Sequence, residues 1–422
     1  MNKNLIFIFL VLFVLFFKGY YIFKSANTGN YTYEHQLSNG DAGHYLKIAE
    51  NLKIYNVFSD DYSGTPSMSA TYRPPLWPLA LSMYLNISSD LLYVLLFKNL
   101  TIAALIFLVF YLFKNKIKIN DSKYFLYFPL LLLLEPHINK YNLTFLTEDF
   151  TAAWIIFLSI LFINLNEKNL SYIGVGVLSV VVFLWHPISV FFIFLIIVMS
   201  FLKLFKHSKL KSIALLLLFV SGCLLWPLRN ALVFKTKPYV TISQGPAFAK
   251  GWNDSVITQF TNVDGDLADE TLNFKYIDKD ELNSISNGYE RSQLMTKATL
   301  KFLGSSSVSD ILKISSTKLL SNFNPFPEKP KPGFLESLGT LFRVLYLLLF
   351  LEIAILWLFF KDRLNQLKKA EVLLVLVIFT SQIITSIIFY TGLRFNTIYT
   401  LTLLYLLIKI NFDLFKSLKL TP

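Results

Sequence analysis

Cysteine is all but missing from this chain of 422 residues: Cys223 is the single one, and it lies inside an apolar run. A disulfide framework is therefore excluded, whichever compartment the loops face. There is no Walker-type Gly-x-x-x-x-Gly-Lys loop, so work driven by ATP is not indicated, and no glycine fingerprint opens a βα unit. The His-Glu-x-x-His pair of zinc peptidases and the Gly-x-Ser-x-Gly elbow of serine hydrolases are both missing. No internal repeat is visible, and with it goes the inverted-repeat pattern of many transporters. Acidic residues are few, 27 against 39 Lys and Arg.

Apolar residues fill the space these absences leave. They make up 54% of the chain, with 41 Phe and 22 Tyr, more than a soluble domain of this length can bury. Many runs reach the roughly 20 residues needed to cross a hydrocarbon core of about 30 Å. The formal charge of +12 does not indicate nucleic acid. The basic residues gather in short clusters between apolar runs, as the positive-inside rule expects. Ten spans are expected, at 4–23, 91–113, 123–138, 149–165, 170–186, 188–204, 212–228, 337–360, 370–390 and 395–411. The first reads as an uncleaved span. Lysine-rich inner loops at 114–123, 168, 203–211, 361–369 and 409–419 contrast with outer turns holding only Lys140 and Arg394. That asymmetry places both termini in the cytoplasm of a multi-pass cell-membrane protein.

Two long segments fall outside, 24–90 and 229–336. Residues 74–88 are apolar but short and contain three prolines; they read as a helix on the outer face, since counting them as a span would put the 114–123 lysines outside. The later segment holds a Gly/Asp/Asn-rich stretch from Asp254 to Asp269, expected helices near 278–303 and 307–322, and a Pro-rich exit at 324–332. The organisation is then an N-terminal transmembrane module (1–228), an extracytoplasmic cap (229–336) and C-terminal transmembrane helices (337–422).

Ionisable groups gather at the outer ends of these spans, where charge at membrane level is costly. Asp41 precedes a short amphipathic helix whose stripe is Tyr45, Ile48, Ala49 and Leu52, with His44, Lys47 and Asn51 away from it. Glu135-Pro-His137 closes the third span and Thr147-Glu148-Asp149 opens the fourth. Trp185-His186-Pro187 links the fifth and sixth, Trp226-Pro-Leu-Arg229-Asn230 closes the seventh, and Arg394 opens the tenth. Each has a structural reading. Asp41, Glu148 and Asp149 suit helix N-termini, Arg229 and Arg394 suit snorkelling, and Trp77, Trp185, Trp226 and Trp252 suit interfacial anchors. The spans themselves read as nearly charge-free.

These residues, taken in order, resemble the GT-C membrane glycosyltransferases. The likeness is to the bacterial branch related to protein O-mannosyltransferases and the aminoarabinose lipid A transferase, of the glycosyltransferase family 39 type. Asp41 with Tyr45, Ile48 and Ala49 resembles the family's first-loop aspartate and juxtamembrane helix. Arg73-Pro74-Pro75-Leu76, Leu146-Thr147-Glu148, Trp226-Pro-Leu-Arg229-Asn230 with Val240-Thr-Ile-Ser-Gln-Gly245, and Arg394-Phe395 resemble its later motifs. Ala42 stands where many relatives carry a second acid.

The resemblance implies an all-α GT-C-like bundle and a polyprenyl-phosphate sugar donor. The acceptor would be an extracytoplasmic glycan, lipid or protein of the cell envelope, reached among membrane lipids. It implies Asp41 as general base in an inverting transfer, with Glu148 positioning a hydroxyl. Arg229 and Arg394 would bind the lipid phosphate, and His44, Tyr45, Arg73 and His186 would line the substrate site. A divalent cation (Mg²⁺ or Mn²⁺) shared by Asp41 and Glu148 stays open. So do three alternatives: a flippase or transporter of polyprenyl-linked glycans, a glycan polymerase, and a non-catalytic lipid-binding relative.

Overall fold

The computed structural model describes residues 3–25, 40–62, 66, 73–113, 128–166, 170–253, 256, 276–324, 334–359, 369–389 and 393–419. Regular structure among them is helical throughout, with no strand. The lysine clusters at 114–123, 168 and 361–368, the Asp254–Asp269 stretch apart from Val256, and most of the Pro-rich exit lie outside the described residues.

The chain opens with α1 (Lys3–Ser25), α2 (Gly40–Tyr55), α3 (Leu76–Ile87) and α4 (Leu91–Phe113). Next come α5 (Phe128–Leu133), α6 (Pro136–Tyr141), α7 (Glu148–Ile163) and α8 (Ser171–Trp185). A 3₁₀ turn (Pro187–Ser189) leads into α9 (Val190–Phe205), followed by α10 (Lys209–Phe234). The cap contributes α11 (Gln244–Gly251), α12 (Lys279–Ser284), α13 (Gly288–Ser305) and α14 (Val308–Phe323). Finally come α15 (Phe334–Phe359), α16 (Lys369–Ile388), α17 (Leu393–Thr397) and α18 (Thr400–Lys419).

Five segments among the described residues are long and apolar enough to cross a membrane: Leu91–Val109, Pro187–Phe205, Lys209–Phe234, Ser337–Phe359 and Lys369–Ile388. The third expected span is not one helix. It breaks at Glu135, where Pro136 cannot continue the helix and the Glu135 carboxylate instead caps α6 by accepting from the Ile138 N–H. The tenth likewise divides into α17 and α18.

Helix α7 is the hub. It is buried on nearly all sides and packs against α4, α6, α8, α16, α17 and α18, as a helix apolar all round must. α10 runs at the perimeter against α8 and α9. The α8–α10 pair meets closely because each supplies a glycine: a Cβ on Gly176 would fall 2.6 Å from Leu218 and one on Gly222 2.5 Å from Val180. α2 and α3 pack side by side as a short layer, and at 12 residues α3 spans only about 18 Å.

The interior contains more charge than the sequence led us to expect. Lys18 (α1), Lys98 (α4), Asp149 (α7), Glu371 (α16) and Lys409 (α18) are all buried, so the spans are not charge-free. Glu135 is fully buried and accepts from Tyr346 Oη (3.1 Å) and Thr400 Oγ1 (3.2 Å), with His137 Nδ1 at 2.6 Å. The tryptophans also depart from expectation. Trp77, Trp185 and Trp252 are buried, and Trp77, Phe150 and Trp185 form one aromatic cluster with centroids 5.1–5.7 Å apart. They serve as core side chains, because α3 folds down onto the bundle and turns Trp77 inward.

Candidate functional site

A cavity of about 1170 Å³ opens where α2, the α6–α7 loop, the α8–α9 junction and the cap converge. Asp41, His44, Tyr45, Arg73, Glu148 and His186 all line it. Six of the eight residues singled out in the sequence are thus brought together from four separate stretches of chain.

The floor is organised around Asp41. Gly40 begins α2 at φ +39°, a left-handed conformation that glycine adopts without strain. Asp41 follows in the first turn. Its Oδ1 accepts from Arg73 Nη2 at 2.5 Å, and the same guanidinium lies 5.3 Å over the Tyr45 ring. Tyr45 is buried; desolvation pushes its hydroxyl up to about 12, with the Arg73 charge pulling the other way. It therefore stays a neutral phenol through the physiological range. His44 Nδ1 is 3.3 Å from Asp60 Oδ2.

The stripe expected on α2 is partly revised. Tyr45, Ile48 and Ala49 are buried as expected, but so is Asn51 on the face read as solvated. Its amide donates to the carbonyls of Ser59 and Asp61, both at 2.9 Å, and holds the following loop against the helix.

Glu148 and Asp149, adjacent in sequence, part company in space. Glu148 lines the cavity. Asp149 turns into the core and meets Lys98 at 2.9 Å, both side chains fully buried. His186 ends α8 in an extended conformation ahead of Pro187. Its carbonyl accepts from the Ser189 hydroxyl at 2.7 Å, and the residue lines the cavity.

Two expected site residues are not brought in with the others. Arg229 does not line the cavity. Its guanidinium lies 4.8 Å over Trp226 and 5.5 Å over Phe234 and donates to Asn230 Oδ1 at 3.0 Å. Asn230 and Trp226 in turn donate to the Tyr239 and Val240 carbonyls, so this motif fastens the chain leading to the cavity wall. Arg394 falls in α17, and its side chain lies outside the described residues; its neighbour Phe395 lines the cavity.

The cap supplies the opposite wall: Thr241, Ser243, Gln244 and Lys250 on and before α11, and Arg291 on α13. Sequence reasoning missed Lys250 and Arg291, which carry no motif. It also missed Lys98, although a lysine inside an apolar run is itself a signal. Arg73 already engages Asp41, and among the described residues no three His, Cys, Asp or Glu side chains cluster as ligands.

No protein-family model matches this chain, and neither a curated protein nor a solved structure matches it.

Proposed function

We propose that this chain is an integral membrane glycosyltransferase of the GT-C type, with about ten spans, both termini cytoplasmic and the cavity facing outward. It transfers a sugar from a polyprenyl phosphate to an extracytoplasmic hydroxyl. The single observation that carries the reading is the convergence of Asp41, Arg73, Glu148, His44, Tyr45 and His186 on one cavity between the helix bundle and its cap. Its volume of about 1170 Å³ exceeds the 300–1,000 Å³ usual for one small ligand, which leaves room for donor and acceptor together.

In this reading the acceptor hydroxyl attacks the anomeric carbon from the face opposite the phosphate. Its proton passes to the Asp41 carboxylate, and the C–O bond breaks with its electron pair leaving on the lipid phosphate. The product is inverted. The leaving group is already a stable anion, so cations serve it better than a general acid does. Arg73, Lys250 and Arg291, which line the cavity, replace Arg229 in that role. Arg73 also fixes the orientation of Asp41, and Glu148 holds an acceptor or sugar hydroxyl. General-base assistance of this kind is worth about 10²–10⁴-fold.

The buried charges raise the transporter reading again, since mid-span ionisable groups are its mark. Their depth argues against it. Lys98 lies seven residues inside α4 from Leu91 and Lys18 seven residues before Ser25, each about 10 Å from a helix end. Lys18, Lys98 and Asp149 form a layer beneath the cavity, while Glu371 and Lys409 lie toward the other ends of their helices, so among the described residues no file of charges joins the two faces.

The test supplies membranes containing polyprenyl-phosphate sugars and compares wild type with Asp41→Asn. Transfer by the wild type and a loss of about 10²-fold or more in the variant is expected. Equal transfer by both would remove the mechanism.

A further inference from the structure

We infer that Lys98 is a positioning residue: a buried ammonium that folds the 141–147 loop and so sets where the Glu148 carboxylate enters the cavity. Only the kinetic arm of its test rests on the function proposed above.

Lys98 Nζ donates to the carbonyls of Tyr141 (3.2 Å), Thr144 (2.7 Å) and Leu146 (2.9 Å) and meets Asp149 Oδ2 at 2.9 Å. Its neighbour Asn99 donates to the Asn142 carbonyl at 3.1 Å, and Trp77 Nε1 donates to that of Phe145 at 2.6 Å. Three side chains thus take five of the six carbonyls from 141 to 146. Much of this loop is buried, so water cannot serve all of these groups and the donors set its path. Trp77 also lies below Lys98, with Nζ 5.6 Å from its ring.

The loop ends at Thr147, and α7 begins at Glu148. Successive residues on a helix point about 100° apart. Holding Asp149 in the core on Lys98 therefore fixes the rotation of the first turn and directs Glu148 into the cavity. This accounts for the adjacent acids: one is presented to the cavity and the other is the handle that orients it. A mis-set carboxylate is costly, since an error of about 1 Å can remove about 10²-fold of rate.

The test uses the full-length protein with Cys223→Ser, which leaves no other thiol in the chain. Glu148→Cys is then labelled with a water-soluble thiosulfonate, with and without Lys98→Met plus Asp149→Asn, a pair that strands neither charge. The paired substitution is expected to change the labelling rate of residue 148 by about five-fold or more, as thiol reactivity follows its surroundings. Asp149→Asn alone, which keeps the three carbonyl bonds and still offers Lys98 an amide oxygen as the handle, should change it less than the pair does.

In the enzyme with Glu148 intact, the pair should lower kcat about ten-fold or more with KM for the donor nearly unchanged. Adding the pair to Glu148→Gln should cost nothing further. Should the pair fail to accumulate in membranes, Lys98→Gln with Asp149→Asn retains two donors and is expected to show smaller shifts in the same direction. Unchanged labelling, or losses that multiply with Glu148→Gln, overturn the assignment. A wild type that transfers no sugar, with labelling still altered by the pair, sinks the enzymatic reading and leaves the role of Lys98 standing.

Discussion

Gly245 is the position at which a single methyl group should do most damage to the cavity wall. A Cβ there would lie 2.1 Å from the Ser292 carbonyl oxygen, 2.7 Å from Ser292 Oγ and 2.8 Å from the Ser292 carbonyl carbon. The Gly245 N–H also donates to Ser292 Oγ at 3.1 Å. Two of the three obstacles are backbone atoms, so no rotamer change relieves the clash. α11 and α13 would have to separate by about 1 Å, and overpacking of this kind costs about 1–3 kcal/mol. Gln244 and Lys250 of α11 and Arg291 of α13 line the cavity, so the same displacement moves the wall. Gly245→Ala should therefore lower the melting temperature in detergent by several degrees and weaken donor binding. Gly304→Ala is the control. Its Cβ meets nothing within 4 Å, and it should be neutral or stabilise by up to about 1 kcal/mol. If Gly245→Ala melts and binds like the wild type, the helix crossing at Ser292 is wrong and the wall is misplaced with it.

Other outcomes separate the roles assigned above. Arg73→Gln should reduce transfer about 10²-fold, since it loses both the orientation of Asp41 and a cation on the cavity. Arg229→Gln should act mainly on melting temperature, with kcat within about three-fold of wild type; the reverse ranking would return Arg229 to the site. Glu135→Ala removes a buried acceptor from Ile138, Tyr346 and Thr400 and should cost about 3–5 kcal/mol, measurable as loss of folded protein on gel filtration. Lys318, in the cap, donates to the Ile387 and Phe389 carbonyls at the end of α16 and sits 3.7 Å over Trp252. Burial draws its ammonium down to about 6, below the unfolded value of about 10.4. Between those pH values the unfolded chain binds more protons, so stability should rise as pH increases from about 6 and lie flat below it. Lys318→Met should abolish that slope, and an unchanged slope would show that another group titrates.

Much of the candidate site was legible because its residues carry local signals. Asp41 ahead of a short helix, Glu148 at the start of an apolar helix and His186 before a proline at the end of one each carry such a signal, and all three line the cavity. Arg229 carried an equally good signal and went elsewhere. Which way a side chain leaves the end of a helix depends on its neighbours, here Trp226, Phe234 and Asn230. The α5–α6 break was marked by Pro136, yet its consequence, a buried Glu135 tied to Tyr346 and Thr400 more than two hundred residues away, has no local sign.

The sequence alone determined the class of protein, since an excess of apolar residues in long runs leaves only a helical membrane bundle as a stable outcome, and periodicity and proline placed most helix ends. The tertiary structure decided which polar groups share a space. It parted Glu148 from Asp149, buried Lys98 under a loop, turned three tryptophans inward and brought the cap over Asp41. Those outcomes follow from long-range packing and from the need of each buried polar group for a partner, which for Lys98 and Asp149, or Glu135 and Thr400, lies far away in the chain.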